Sequence, residues 1–184
     1  MRLFKNNKTT SWKDVFNDSV QVDYAPIPTG ETEKYVNEEG QEKTRQVTVE
    51  RPALGFQTET GRGKGIQWIP VEDIEDAVAA LQHYAENGVD SVALTDDWLS
   101  PAETIHETIT RVPRKDENDK VIEGEYDISF RVRMGKGSKS CRVPEEDFAE
   151  FVEMLASVTS AVPAALAKVE AKRAAAAAKA QSDE

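Results

Sequence analysis

The chain of 184 residues carries 34 acidic and 23 basic side chains, a formal net charge of −11 at pH 7. Its 39% hydrophobic content is too high for a disordered chain and too low for a membrane protein, and a single cysteine, Cys141, excludes an intramolecular disulfide framework. The acidity counts against a duplex nucleic-acid partner, because phosphate binding is mainly electrostatic. The charge is uneven, however: residues 1–100 contribute −8 and residues 101–184 contribute −3. Acid gathers at Glu31 to Glu42, Glu72 to Asp76, Asp116 to Asp119 and Glu145 to Glu153. Cations gather at Arg62 to Lys64 and from Arg131 to Arg142. The N-terminal residues lack the apolar segment of a signal peptide, so a cytoplasmic location is expected.

In chain order, residues 1–17 read as an arm, and Val20, Val22 and Tyr24 alternate as a strand. A polar loop with Asn37 and Gly40 leads to a second strand around Val47 and Val49, and a third surrounds Phe56. Gly61 to Gly65 is a turn and Ile66 to Ile69 a returning strand. Pro70 then opens a helix, since its missing N–H costs nothing there. The acidic first turn, Glu72 to Asp76, suits the positive end of the helix dipole. Ile74, Ala77, Val78, Leu81 and Tyr84 form its apolar stripe, and Gly88 stops it.

Residues 91–102 read as a linker. Thr104 to Val112, rich in Thr and Ile, predicts a strand, and Arg114 to Lys120 turns the chain. Ile128, Phe130, Val132 and Met134 alternate with Ser129, Arg131 and Arg133, which predicts a half-buried strand with both arginines on its polar face. The turn Gly135 to Ser138, the strand Lys139 to Val143 and a helix from Pro144 follow. That helix carries the stripe Phe148, Phe151, Val152, Leu155 and Val158. From Ala164 the chain is alanine-rich and predicts a helical tail that frays or meets a partner.

Laid over one another at an offset of 74, Phe56 to Leu81 and Phe130 to Leu155 match at both glycines of the turn, at the proline and along the helical stripe. The expected architecture is α+β: two tandem ββββα repeats, residues 18–90 and 103–160, forming an intramolecular pseudo-dimer with curved antiparallel sheets. Residues 161–184 add the helical tail.

Motifs for catalysis are missing. His83 and His106 stand far apart in sequence, and no zinc spacing occurs, so no metal, cofactor or enzymatic activity is expected. The Gly61 to Gly65 stretch lacks Walker spacing and leads into a strand rather than a helix. Without a nearby histidine, Cys141 reads as a bystander. What remains is a set of cations on turns and strands: Arg62, Lys64, Arg131, Arg133, Lys136, Lys139 and Arg142. Trp68 aligns with Arg142 and points away from Ile69. It is either a platform for base stacking or a side chain covered by the other unit or by a dimer partner.

Gly63 to Trp68, followed by Val71 to Ile74, resembles the basic turn, short strand and proline-led helix of the transcriptional coactivator p15 (positive cofactor four) family. The paired units are also similar to Pur repeats and, more distantly, to Whirly proteins. The resemblance implies intertwined ββββα units whose sheets expose basic and aromatic residues to single-stranded DNA or RNA. On this chain it implies contacts through Arg62, Lys64, Trp68, Lys136, Lys139 and Arg142; alternation alone adds Arg131 and Arg133. Gln57 and Glu59 replace those two arginines in the first copy, which weakens its sheet face. The expected function is single-strand binding in replication, recombination or transcription, by a homodimer. The alternative is an acidic interaction or DNA-mimicking module that meets a basic protein through its acidic helices.

Overall fold

The structure, a computed structural model, describes residues 11–59, 66–89, 99–116, 118–133 and 140–182. The chain is α+β, with two three-stranded antiparallel sheets and five helices among the described residues. The first half runs α1 (Trp12–Ser19), β1 (Gln21–Val36), β2 (Glu42–Phe56), β3 (Gln67–Pro70), a 3-10 turn Val71–Asp73 and α2 (Ile74–Asn87). The second half repeats that order as α3 (Pro101–Thr108), β4 (Thr110–Lys115), β5 (Val121–Phe130), β6 (Cys141–Pro144), a 3-10 turn Glu145–Asp147 and α4 (Phe148–Thr159). A last helix, α5 (Val162–Ser182), follows.

Both halves begin with the same device. Ser11 and Asp14 cap α1 reciprocally, each side chain bonding the other's backbone N–H, and Ser100 and Glu103 do the same for α3. In α3, Pro101 at the first helical position adds its preset φ. These capping boxes override two expectations. Residues 12–17 are not an arm, and Thr104 to Thr108 is helix rather than strand, so the strand begins only at Thr110. Each sheet has three strands, not four; in the first, Val47, Val49 and Phe56 lie on one continuous strand, β2.

Strand pairing is equivalent in the two halves. Leu54 lies opposite Ile69 and Val22, while Ile128 lies opposite Val143 and Arg111. Both hairpins close on an acceptor side chain: Asn37 Oδ1 takes the N–H of Gln41 at 2.8 Å, and Asp116 Oδ1 takes that of Lys120 at 2.9 Å. Gly40 and Asp119 hold the matching positive φ, 76° and 61°. The hairpins differ in reach. β1 starts 89 residues before β4 (21 against 110), but β2 ends only 74 before β5 (56 against 130), so the first hairpin is 15 residues longer. Its prolines, Pro26 and Pro28, sit on an edge strand, where a missing N–H breaks no ladder.

One core joins the halves. Phe16 and Phe56 from the first, and Phe130, Phe148 and Phe151 from the second, are all buried within it. Phe151 is the hub, its ring centroid 5.8 Å from Phe16, 6.0 Å from Phe56 and 5.7 Å from Phe130. α2 packs against both α4 and α3. Trp12 Nε1 donates to Asp147 at 2.7 Å, closing the first helix onto the last unit. α5 leaves this core after Val162. Arg173 fastens it to the long hairpin, lying 4.0 Å over the Tyr24 ring and 3.3 Å from Glu50.

Candidate nucleic-acid interface

Each sheet turns one face to the shared core, through Leu54, Phe56 and Ile69 in the first and Ile128, Phe130 and Val143 in the second. Alternation sends the neighbouring side chains to the opposite face. In the first sheet that outer face carries Ala25 and Ile27 from β1, Arg51, Ala53 and Gly55 from β2, and Trp68 and Pro70 from β3. Ala25, Ile27 and Ala53 are buried in a second, small apolar cluster against which Trp68 packs half-exposed. The ring lies directly over Gly55: a Cβ added there would stand 2.6 Å from Trp68 Cζ3, so the seat requires glycine.

Arg142 occupies the corresponding place in the second sheet. It lies opposite Ser129 as Trp68 lies opposite Gly55, and it is exposed between the buried Cys141 and Val143. Its backbone N–H donates to Thr58 Oγ1 at 3.2 Å, and its guanidinium lies 3.7 Å from Glu59, so this site touches the first half.

Arg131 and Arg133 do not share a free strand face. β5 ends at Phe130, because the Arg131 N–H leaves the ladder for the Thr108 hydroxyl at 2.9 Å. Arg131 is half-buried, with its Nε lacking any hydrogen-bond partner. Arg133 is half-buried too, and its Nη1 donates to the Pro26 carbonyl at 3.0 Å. Burial holds its guanidinium below the ordinary arginine value. Arg62, Lys64, Lys136 and Lys139 lie outside the described residues, as do the turns that carry them.

At one end of the outer face of the first sheet is a cleft of about 280 Å³, where Ile27, Arg51 and Pro70 meet Asp73, Pro101 and Arg133. Arg51 Nη1 pairs with Glu72 at 3.0 Å. Burial, then repulsion from Glu72, raises the Asp73 carboxyl above its usual range. Arg51 was absent from the sequence-based set; the alternation Arg51, Ala53, Gly55 would have placed it beside Trp68 had β2 been read as one strand.

Most other described cations are neutralised. Arg114 holds Asp127, Glu125 and Glu146 at 2.8, 2.9 and 2.8 Å, Arg111 chelates Glu145 and stacks 3.4 Å from the Tyr126 ring, and Lys13 meets Glu150 at 2.7 Å. The carboxyl groups of Glu145 and Glu146 are accordingly held below their usual range by Arg111 and Arg114. Cys141 is buried, and loss of hydration pushes its thiol up to about 12, so it is a poor nucleophile. The two histidines converge despite their separation: their ring centroids are 6.4 Å apart, and His106 Nδ1 lies 3.2 Å from the Tyr84 hydroxyl. Among the described residues, no group of three or more His, Cys, Asp or Glu could hold a metal ion. Comparison with protein-family models, curated proteins and solved structures finds no match.

Proposed function

We propose that the chain is a non-enzymatic protein that binds single-stranded nucleic acid, built as two tandem units in an intramolecular pseudo-dimer. The observation that carries this reading is the shared place of Trp68 and Arg142, one aromatic and one cation at equivalent registers on outer sheet faces. A half-exposed tryptophan on a sheet face that also carries Arg51 suits sequence-tolerant binding, in which each stacked base contributes roughly 1–3 kcal/mol. Equivalent pairing registers and hairpin turns in the two halves support the tandem reading.

The internal ion pairs shape the expected behaviour. Among the described residues they occupy most of the arginines, so affinity should be modest and fall steeply with salt, and the acidic remainder should disfavour a duplex. The same pairs weaken the alternative of an acidic surface that captures a basic protein, since Glu72, Glu145 and Glu146 are already held by arginines. Fluorescence anisotropy with a labelled single strand of ~30 nucleotides, and with its duplex, at two salt concentrations tests the proposal. Binding to the single strand at low salt, weakened about tenfold by Trp68→Ala, is expected. No binding at low salt, or equal binding of the duplex, refutes it.

A further inference from the structure

Arg133 presents an imbalance that its surroundings do not resolve. A guanidinium carries five N–H donors and a full positive charge. Half-buried, Arg133 satisfies this group with one neutral carbonyl, that of Pro26, and forms no ion pair among the described residues. Nearly every other described arginine has a carboxylate: Arg45, Arg51, Arg111, Arg114, Arg142 and Arg173. A cation withdrawn from water without a counter-charge is unfavourable, and an anion delivered by a ligand removes that cost.

The position of this cation says which kind of anion. Arg133 lines the cleft of about 280 Å³ together with Arg51, which commits only Nη1 to Glu72, at 3.0 Å. Asp73 in the cleft and Glu72 beside it balance the two guanidinium forks in formal charge, yet only Arg51 touches a carboxylate, and the Arg133 fork faces the cleft without an ion pair among the described residues. Planar arginine forks match the oxygens of a phosphate, and a cleft of about 280 Å³ has room for a phosphate or pyrophosphate group but not for a length of strand. Pro70, on the cleft wall, stands two residues after Trp68 on the same face of β3, about 7 Å along the strand.

We propose that this cleft is a phosphate subsite, in which Arg133 and Arg51 hold one phosphate group of a nucleotide whose base lies on Trp68. The inference rests on the single-strand reading for its ligand, but the site itself does not. Free polyphosphate anions share the same chemistry, so the test separates the two sources. Pyrophosphate, and separately an unlabelled ~12-nucleotide oligothymidylate, are titrated into the full chain at low salt, followed by tryptophan fluorescence and calorimetry. Wild type, Arg133→Gln, Arg51→Gln and the remote Arg173→Gln are compared.

The subsite predicts saturable pyrophosphate binding that Arg133→Gln abolishes and Arg51→Gln weakens, with Arg173→Gln unchanged. It also predicts that oligothymidylate affinity drops about tenfold in Arg133→Gln and that its salt slope shallows by about one. Pyrophosphate binding without oligothymidylate binding keeps the subsite and removes the single-strand reading. Oligothymidylate binding that Arg133→Gln and Arg51→Gln leave intact overturns the subsite and keeps the reading. Should Arg133→Gln fail to fold, as judged by circular dichroism, Arg133→Lys and Arg51→Gln decide: unchanged affinity for both ligands in both variants overturns the subsite.

Discussion

Replacing Phe151 by alanine should destabilise both halves of the molecule in one event. Its side chain is fully buried, and its ring centroid lies 5.7–6.3 Å from five others: Trp12, Phe16, Phe56, Phe130 and Phe148. Three of these neighbours belong to the first half and two to the second, so no single element can collapse into the vacated space. Such an uncompensated Phe→Ala change costs about 3–5 kcal/mol, a large share of the ~5–15 kcal/mol that stabilises an ordinary domain. With an unfolding entropy near 2.1 cal/mol/K per residue, 184 residues give ~390 cal/mol/K, so 4 kcal/mol lowers Tm by ~10 °C. Urea unfolding followed by far-UV circular dichroism and by tryptophan fluorescence should show one transition, moved equally in both signals. Two separated transitions, or a loss under ~1 kcal/mol, would refute the idea of a single shared core.

Two further outcomes follow from local geometry. Gly55→Ala places a Cβ 2.6 Å from Trp68 and 2.7 Å from Ile66, so the indole must leave its seat. Overpacking of this kind costs ~1–3 kcal/mol, and in binding assays the variant should mimic Trp68→Ala; unaltered tryptophan fluorescence and unaltered Tm would contradict the placement of the ring. Acid should also weaken the fold. Glu145 and Glu146, held by Arg111 and Arg114, have folded-state values under the usual 4.5, as does Glu103, which accepts the Ser100 N–H. Their contribution is complete above the unfolded value and drains as pH falls through the folded values; Asp73, shifted the other way, is one carboxyl against these three. Tm measured from pH 6 to pH 3 should therefore fall, and less so in Arg114→Gln; a flat or rising Tm would be inconsistent with these ion pairs.

The part of each half from Phe56 to Leu81 and from Phe130 to Leu155 was the most legible in the sequence. There a proline, an acidic run and a 3.6-residue stripe agree, and a short strand followed by a helix is found in each half. Pro70 and Pro144, however, end their strands, and a 3-10 turn precedes each α-helix rather than the proline opening it. Where signals conflicted, the local cap decided the outcome. Thr104, Ile105, Thr108 and Ile109 look like strand, yet Ser100, Pro101 and Glu103 fix a helix start just upstream, and the helix runs until Thr108. Period-two alternation continued in sequence through Arg131 and Arg133 after the ladder had stopped, because the hydroxyl that captures the Arg131 N–H belongs to Thr108, 23 residues away. Trp68 could be assigned to the outer face by alternation alone, but its glycine seat could not, since Gly55 meets it only across a strand pair. The cleft was equally hidden, joining Arg51, Asp73 and Arg133 from three separate elements.

The hydrogen bond from Trp12 to Asp147 spans 135 residues. During synthesis, then, Trp12 waits for this partner until Asp147 has left the ribosome. Meanwhile Phe16 can meet Phe56, but Trp12 and Phe16 both lack the Phe151 ring that covers them in the finished fold. Closure over so long a loop makes assembly slow relative to a domain built from local contacts. The packing around Trp12 and Phe16 is therefore complete only when the aromatic side chains of α4 arrive.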